Sequence, residues 1–196
     1  MIFTYAFTAL IIIIYVLDTF VFVTKGVKRL TSQHILDGDK SGHILQALKL
    51  SAAKVKRGQV WRLITSALLH VSLSHIAGNA AALLIIGYAV ESSLGSVKTL
   101  LCFVISSLIS ALVMTFVYKF DDGEGSSTGI YGLIAVYFLL AVKSGSLLFS
   151  PVSPYLLALA GVFFVGGFFS GSVNRREHTS GFIGGIVAGV LMIWIL

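Results

Sequence analysis

The chain has 196 residues, of which 57% are hydrophobic and only 11% are charged, and its mean hydropathy is +0.96. Soluble domains usually carry about 25% charged residues, so this composition excludes a water-soluble globular protein and indicates one whose solvent is lipid. The formal net charge of +6 favours loops beside anionic lipid headgroups and makes a nucleic-acid partner unexpected.

Six apolar segments approach the roughly 20 residues that a helix needs to cross a bilayer. The first, about residues 5–23, has no basic leader and no small-residue cleavage site, so we expect a retained span and not a signal peptide. The others are predicted over residues 72–90, 99–118, 127–142, 151–169 and 178–196. The sequence thus predicts an all-α membrane protein of six transmembrane helices, forming a single domain over residues 1–196.

A polar first loop, residues 24–65, follows the first span and holds nine of the 14 Lys and Arg residues. Within it, apolar residues at helical spacing over residues 43–56 predict a helix lying in the membrane interface. Trp61 and Arg62 close the loop, and this pair predicts an interfacial anchor.

The remaining polar positions are few. An acidic, Gly/Ser-rich loop occupies residues 119–126, and residues 171–177 are predicted to form a polar turn. Asp18 is expected to bond another helix or reach the interface, with no part in chemistry. The single cysteine, Cys102, excludes an internal disulfide, and no Cys/His spacing typical of a metal site is present. Neither a metal nor another cofactor is expected.

Candidate reactive side chains converge because successive spans alternate in direction. His75 and Asn79 lie at the start of the second span, Ser127 at the start of the fourth and His178 at the start of the sixth. All four therefore lie at one face of the membrane. A serine becomes nucleophilic when an adjacent base accepts its proton, and histidine does so near neutral pH. The positions predict a Ser127–His178 pair.

His75 and Asn79 are four residues apart, so they share one face of a helix. Both side chains donate hydrogen bonds and together could stabilise an oxyanion, although hydrogen bonding between helices explains the pair equally well. Glu91 ends the second span on the opposite face, and Glu177 shares the helix end of His178. A Ser–His dyad therefore fits better than a triad.

Small residues at helical spacing line two spans: Gly129 and Gly132 in the fourth, and Gly181, Gly185 and Gly189 in the sixth. Such stripes let two backbones approach closely. We therefore expect the fourth and sixth spans to pack together, which would bring the candidate nucleophile and base within hydrogen-bond reach.

Three motifs, in this order along the chain, resemble those of the rhomboid family of intramembrane serine proteases. They are residues 70–79 (HVSLSHIAGN), 125–133 (GSSTGIYGL) and 178–189 (HTSGFIGGIVAG), with further similarity at residues 61–62 and 91–95. The resemblance covers about residues 60–196 and implies a rhomboid-like bundle of six transmembrane helices.

The resemblance implies roles for six residues: Ser127 as the nucleophile, His178 as the general base, His75 and Asn79 as oxyanion donors, His70 as a further histidine beside the site, and Tyr131 as a ring that packs on the catalytic histidine. Two positions depart from the family pattern. Thr128 replaces the glycine after the nucleophile, where a β-branched residue is stiffer, and Ser126 and Thr128 offer competing hydroxyls. Glu177 precedes the histidine, and its carboxylate would favour the protonated imidazolium.

The implied enzyme is a serine-type endopeptidase that hydrolyses peptide bonds of transmembrane protein substrates at or within the lipid bilayer. One alternative is a catalytically inactive relative that binds transmembrane clients. Another is a small transporter or channel, which would need charged residues in several spans.

The expected location is the inner or plasma membrane, as a multi-pass protein. Twelve of the 14 Lys and Arg residues fall in loops on the face that carries the candidate site. The positive-inside rule would place those loops in the cytoplasm, whereas bacterial members of the resembled family usually have an outward-facing site. The family arrangement is favoured, and the orientation stays open.

Overall fold

The computed structural model describes residues 1–21, 43–145 and 172–195, and these are largely helical. The helices are α1 (Ile2–Val16), α2 (His43–Leu48), α3 (Ala52–Lys56), α4 (Arg62–Thr65), α5 (Leu73–Ala82), α6 (Tyr88–Phe116), α7 (Ser127–Lys143) and α8 (Ser172–Val190). Wider π-helical turns extend α1, α5 and α8 over Leu17–Val21, Leu83–Gly87 and Leu191–Ile195. The predicted fifth span, residues 151–169, lies outside the described residues.

Three stretches of the described chain are long and apolar enough to cross a bilayer, namely Ile2–Thr19, Leu73–Phe116 and Arg175–Ile195. The 44 residues of Leu73–Phe116 would measure about 66 Å as one helix, about twice the hydrocarbon thickness. Gly95 interrupts them with φ +76°, a value that favours glycine, so they comprise the predicted second and third spans. The all-helical fold is confirmed, and the count of six spans stays a prediction.

Helix α7 lies at the centre of the bundle. Its residues 129–137 are all buried, and nine consecutive positions cover every face of a helix with 3.6 residues per turn. Its apolar side chains share one core with α5, α6 and α8, as the buried residues Leu83, Phe103, Ile134 and Ala188 illustrate. Because the following turns of α7 are held from all sides, the position of its partly exposed first turn is fixed as well.

Glu91 ties the end of the second span to the start of the first. Its carboxylate accepts hydrogen bonds from the backbone N–H groups of Phe3 and Thr4, at 3.0 and 2.9 Å. These N–H groups belong to the first turn of α1 and have no acceptor within their own helix. The buried carboxylate therefore caps α1, so Glu91 has a structural role at this end of the bundle.

Two lysines, Lys98 and Lys143, lie at the same end of the bundle as Glu91. Lys98, shortly after Gly95, donates to the Met192 carbonyl at 3.3 Å, and Lys143, the last residue of α7, donates to the Ile193 carbonyl at 2.8 Å. The end of α7 thus lies beside the end of the helical segment that begins with α8. The first residues of both helices consequently share the opposite end, as the predicted alternation requires.

Close packing of α7 against α8 depends on two glycines of α8. A Cβ atom on Gly181 would clash with the Thr128 carbonyl, and one on Gly185 would clash with the backbone of Gly132. The predicted close approach of the two helices is confirmed. It brings the first turn of α7 against the helix that carries His178.

The glycines of α7 also make room for a different helix. The ring of Phe103 occupies the space beside Gly129, and the side chain of Ser106 occupies the space beside Gly132. Both neighbours belong to α6. Helix α7 therefore approaches two helices closely, whereas the sequence pattern had indicated only one.

The Gly185→Ala variant is expected to lower the free energy of unfolding by about 1–3 kcal/mol, because the added methyl group overpacks the α7–α8 contact. Gly78→Ala is the matched control: it lies within α5, a Cβ atom there would meet nothing within 4 Å, and alanine favours the helix. Thermal unfolding in detergent measures both. Equal melting temperatures for the two variants would show that the contact does not limit helix packing.

The first loop is held against the loop that leads to Ser127. The backbone of Leu50 pairs with that of Gly123 through hydrogen bonds of 2.8 and 3.3 Å. The Ser51 hydroxyl donates to the Asp121 carboxylate at 2.8 Å. The single helix predicted over residues 43–56 is therefore wrong: it divides into α2 and α3, because the Leu50 backbone bonds outside the helix.

Arg62 also departs from its prediction as an interfacial anchor. The residue is only 4% exposed, and its guanidinium donates to the carbonyl oxygens of Gln46 and Lys49 at 3.3 and 2.7 Å. These carbonyls lie at the end of α2, where a helix lacks internal donors. Trp61, at 48% exposure, remains available to the interface, while Arg62 joins α2 to α4.

Asp18 has the structural role that the sequence indicated. Its carboxylate accepts hydrogen bonds from the backbone N–H groups of Ile44 and Leu45 at 2.8 and 3.1 Å, which caps the first turn of α2.

The polar turn predicted over residues 171–177 is wrong from Ser172 onward, because α8 begins there. Its first turns are polar and carry the chain into the bundle at His178.

Candidate active site

Ser127 and His178 meet where α7 packs on α8. The His178 Nε2 atom lies 3.0 Å from the Ser127 Oγ atom, within the range for a nucleophile and its base. Both side chains are partly exposed. The Tyr131 ring stacks on the imidazole, with centroids 4.2 Å apart and planes inclined by 6°. Since Tyr131 is itself buried, it fixes the plane of the imidazole.

The hydroxyls on either side of Ser127 have different surroundings. Ser126 is fully buried, and its Oγ atom lies 3.2 Å from the His70 Nε2 atom. Thr128 lies in the first turn of α7 and packs its carbonyl against α8. Among these neighbours, Ser127 is the hydroxyl that is both partly exposed and hydrogen-bonded to His178.

Gly125 carries the unusual backbone conformation before α7, with φ +123°. A Cβ atom there would lie 2.9 Å from the His75 Nε2 atom and 3.8 Å from the Ser127 Oγ atom. From the sequence, the β-branched Thr128 was expected to be the residue that restricts the backbone at the start of this helix. The structure instead places Thr128 in ordinary helix, and Gly125 provides both the left-handed turn and the space for His75.

His75 and Asn79 lie on α5, whose first turn is capped by Ser72 through a hydrogen bond to the His75 N–H at 3.2 Å. The His75 ring meets the His70 ring edge-on, with centroids 5.0 Å apart. Asn79 is 3% exposed, and its Nδ2 atom has no hydrogen-bond partner among the described residues. A buried donor without an acceptor is costly, so this amide is suited to an incoming oxygen atom.

A small cavity with a mixed polar and apolar lining lies beside Gly125 and Thr128, close to Ser127. Its volume is about 20 Å³, enough for about one water molecule. Its polar lining comes from Ser66, Ser107, Ser110, Glu124, Thr128 and Glu177. The Glu177 carboxylate reaches Gly123, where a Cβ atom would lie 3.1 Å from Oε1. The cavity therefore offers a place for water close to the site.

His70 is uncharged at neutral pH because burial lowers its pKa to about 3, with a smaller contribution from His75. Its ordinary pKa is about 6.5, so between these values the unfolded chain binds a proton that the folded chain does not. Stability from this residue is therefore present above about pH 6.5 and is lost as the pH falls toward 3.

We expect the melting temperature to decline on acidification from pH 7.5 to 5, and to decline less in the His70→Gln variant. Glutamine cannot titrate in this range, yet it keeps a group able to bond Ser126. Thermal unfolding in detergent at several pH values measures the difference. Parallel curves for the two proteins would exclude His70 as a source of the acid sensitivity.

Two features of the site were missed by reasoning from the sequence. The first is the Ser126–His70 hydrogen bond, which assigns a partner to one of the competing hydroxyls. The second is the positive φ of Gly125. A glycine placed directly before two serines at a helix start was a usable signal for the second, because glycine adopts left-handed conformations readily.

Comparison with known proteins agrees with the motifs. The family model of the Rhomboid domain matches residues 57–196. The chain is 25% identical over 190 residues to the rhomboid protease GluP of Bacillus subtilis, covering 97% of this chain and 34% of GluP. It is 27% identical over 150 residues to the rhomboid protease GlpG of Haemophilus influenzae, covering 76% of this chain and 78% of GlpG. The chain thus spans about a third of the length of GluP.

Proposed function

The chain belongs to the rhomboid family of multi-pass integral membrane proteins, and we propose that it is an intramembrane serine protease using a Ser127–His178 dyad. The observation that carries this proposal is the 3.0 Å contact between Ser127 Oγ and His178 Nε2. The stacked Tyr131 ring supports it, because a base must be oriented as well as near. The named relatives are proteases, which supports the same class of reaction.

In the proposed mechanism, Ser127 Oγ attacks the carbonyl carbon of the scissile peptide bond while His178 Nε2 accepts the hydroxyl proton. The tetrahedral intermediate collapses, the C–N bond breaks, and His178 returns the proton to the departing amine. Water then attacks the carbonyl carbon of the acyl-enzyme while His178 Nε2 accepts its proton. The bond from that carbon to Ser127 Oγ breaks, Ser127 Oγ takes the proton back from His178, and the carboxylic acid product leaves. The small cavity beside Thr128, with its polar groups, supports this second step as a site for water.

The substrate of this mechanism is a transmembrane segment of another protein. Within a helix, each peptide carbonyl is hydrogen-bonded to an N–H group four residues later. The segment must therefore unwind locally before Ser127 can attack it. A site set at the start of α7, beneath a membrane face, favours segments whose helix is easily opened.

Asn79 is proposed as an oxyanion donor, together with His75 and the Ser127 backbone N–H. Asn79→Asp keeps the size of the side chain but removes both amide donors. We expect kcat to fall by about a hundred- to a thousandfold with a much smaller change in KM, since the donor acts on the developing oxyanion. Gly78→Ala, the preceding residue of α5, is the control expected to keep activity. Unchanged kcat in Asn79→Asp would remove the residue from this role.

The proposal is tested by reconstituting the protein in liposomes with a single-span substrate and following the appearance of the two fragments. Cleavage that stops in both Ser127→Ala and His178→Ala is the expected result. Specific binding of several substrates with no cleavage of any would overturn the proposal and favour a client-binding protein without protease activity. Folding of each variant is checked by its melting temperature.

A further inference from the structure

A cleft of about 380 Å³ opens between α6 and α8, and its lining contains none of the proposed catalytic residues. Toward the middle of the bundle it is lined by Ile109, Val113 and Ile183. Toward the end that carries the proposed site it is lined by Arg175, Arg176 and Tyr118. Thr179 and Ser180 lie between these two groups, so the lining changes from apolar through polar to cationic along the axis of the helices.

The end of the cleft lined by Arg175, Arg176 and Tyr118 is called the cationic rim here. The charge of its two arginines is not neutralised within the described part of the chain. Arg175 and Arg176 are exposed, no acidic side chain lines the cleft, and no ion pair to either arginine occurs among the described residues. The Arg176 guanidinium lies 4.4 Å from the centre of the Tyr118 ring. That contact orients the group and leaves its edge N–H groups available to a further acceptor.

The cationic rim and the apolar part of the cleft lie at the depths that the headgroup and the acyl chains of a phospholipid occupy in a bilayer. Arg175 and Arg176 precede the apolar part of α8, and Tyr118 follows the end of α6, so this rim lies at headgroup level. The isoleucines and Val113 lie one to three turns deeper, at the level of acyl chains. Arginine forms paired hydrogen bonds to phosphate oxygens, and a basic residue near an anionic surface contributes about 1 kcal/mol of attraction.

We propose that this cleft is a binding site for one anionic phospholipid. Its phosphate lies between Arg175 and Arg176, and an acyl chain lies along Ile109, Val113 and Ile183. The bound lipid holds the first turns of α8 at the membrane surface. This site is separate from the protease proposal, and its occupancy is measured without any substrate.

The test is native mass spectrometry of the detergent-solubilised protein titrated with phosphatidylglycerol or with phosphatidylcholine of the same acyl chains. The wild type is expected to retain one phosphatidylglycerol in preference to phosphatidylcholine. Arg175→Gln with Arg176→Gln is expected to weaken that binding by about thirtyfold, from two basic contacts. Lys54→Gln with Arg57→Gln removes the same charge from the first loop and is the matched control.

A third variant, Val113→Phe, fills the apolar zone without changing charge and is expected to weaken binding while both arginines remain. Equal loss in the arginine pair and in the Lys54/Arg57 control would mean a general charge effect and would overturn the proposal. Equal phosphatidylglycerol binding in all proteins would overturn it as well. Displacement of the lipid by millimolar inorganic phosphate would reassign the cleft as a simple anion site, whereas a lipid that resists phosphate supports the proposal. Melting temperatures confirm that each variant is folded.

Discussion

Replacing Ser127 with alanine is expected to lower kcat/KM for a single-span substrate by at least about a thousandfold. The reason is that the variant loses the hydroxyl oxygen that lies 3.0 Å from His178 Nε2. Binding of the substrate is expected to persist, because the alanine leaves the shape of the bundle intact. Fragment formation in proteoliposomes, together with substrate co-purification, measures the two effects separately.

Ser126→Ala and Thr128→Ser are the matched controls for that experiment. Ser126 is fully buried and bonded to His70, so its loss is expected to affect stability more than catalysis. Thr128→Ser keeps the hydroxyl and removes only a methyl group. Full activity in Ser127→Ala, with loss in Ser126→Ala, would transfer the nucleophile to Ser126 and contradict the assignment.

His178→Ala is expected to cause a loss as large as that of Ser127→Ala, and the double variant is expected to lose little more. Residues that act as one unit show this strongly non-additive behaviour, because either change alone removes the same step. The measurement is a double-mutant cycle on kcat/KM with a single substrate. Losses that multiply in the double variant would mean that the two side chains act independently.

Two variants of Tyr131 distinguish the orientation of the His178 imidazole from its action as a base. Tyr131→Phe keeps the ring that stacks on His178 and is expected to retain activity. In contrast, Tyr131→Ala removes the stack and is expected to reduce kcat while the dyad residues remain. Equal activity of these two variants would show that the stack does not position the imidazole.

The gross fold was predictable because its signals are strong and local. Runs of apolar residues predict spans directly from the thickness of the bilayer, and the glycine spacing of Gly181 and Gly185 predicted a close helix contact. Alternation of the spans then sufficed to expect Ser127 near His178. The number of spans rests on residues 151–169, which lie outside the described residues, so that count remains a prediction.

Other features depend on contacts between distant segments, which no periodicity within one segment reveals. The break between α2 and α3 arises because Leu50 pairs with Gly123, more than 70 residues later. Arg62 is buried because carbonyls at the end of α2 accept its hydrogen bonds. The sequence provides only the hydropathy and charge of residues 43–56 and of Arg62. Those properties favoured a location at the membrane interface for both.

The central claim is that Ser127 is a nucleophile activated by His178. The most direct measurement is covalent labelling of the reconstituted protein with a fluorophosphonate or an isocoumarin, followed by mass spectrometry of its peptides. The expected adduct is on Ser127, absent in Ser127→Ala and strongly reduced in His178→Ala. An adduct on Ser126 or Thr128, or cleavage of substrate by a protein whose Ser127 is never labelled, would contradict it.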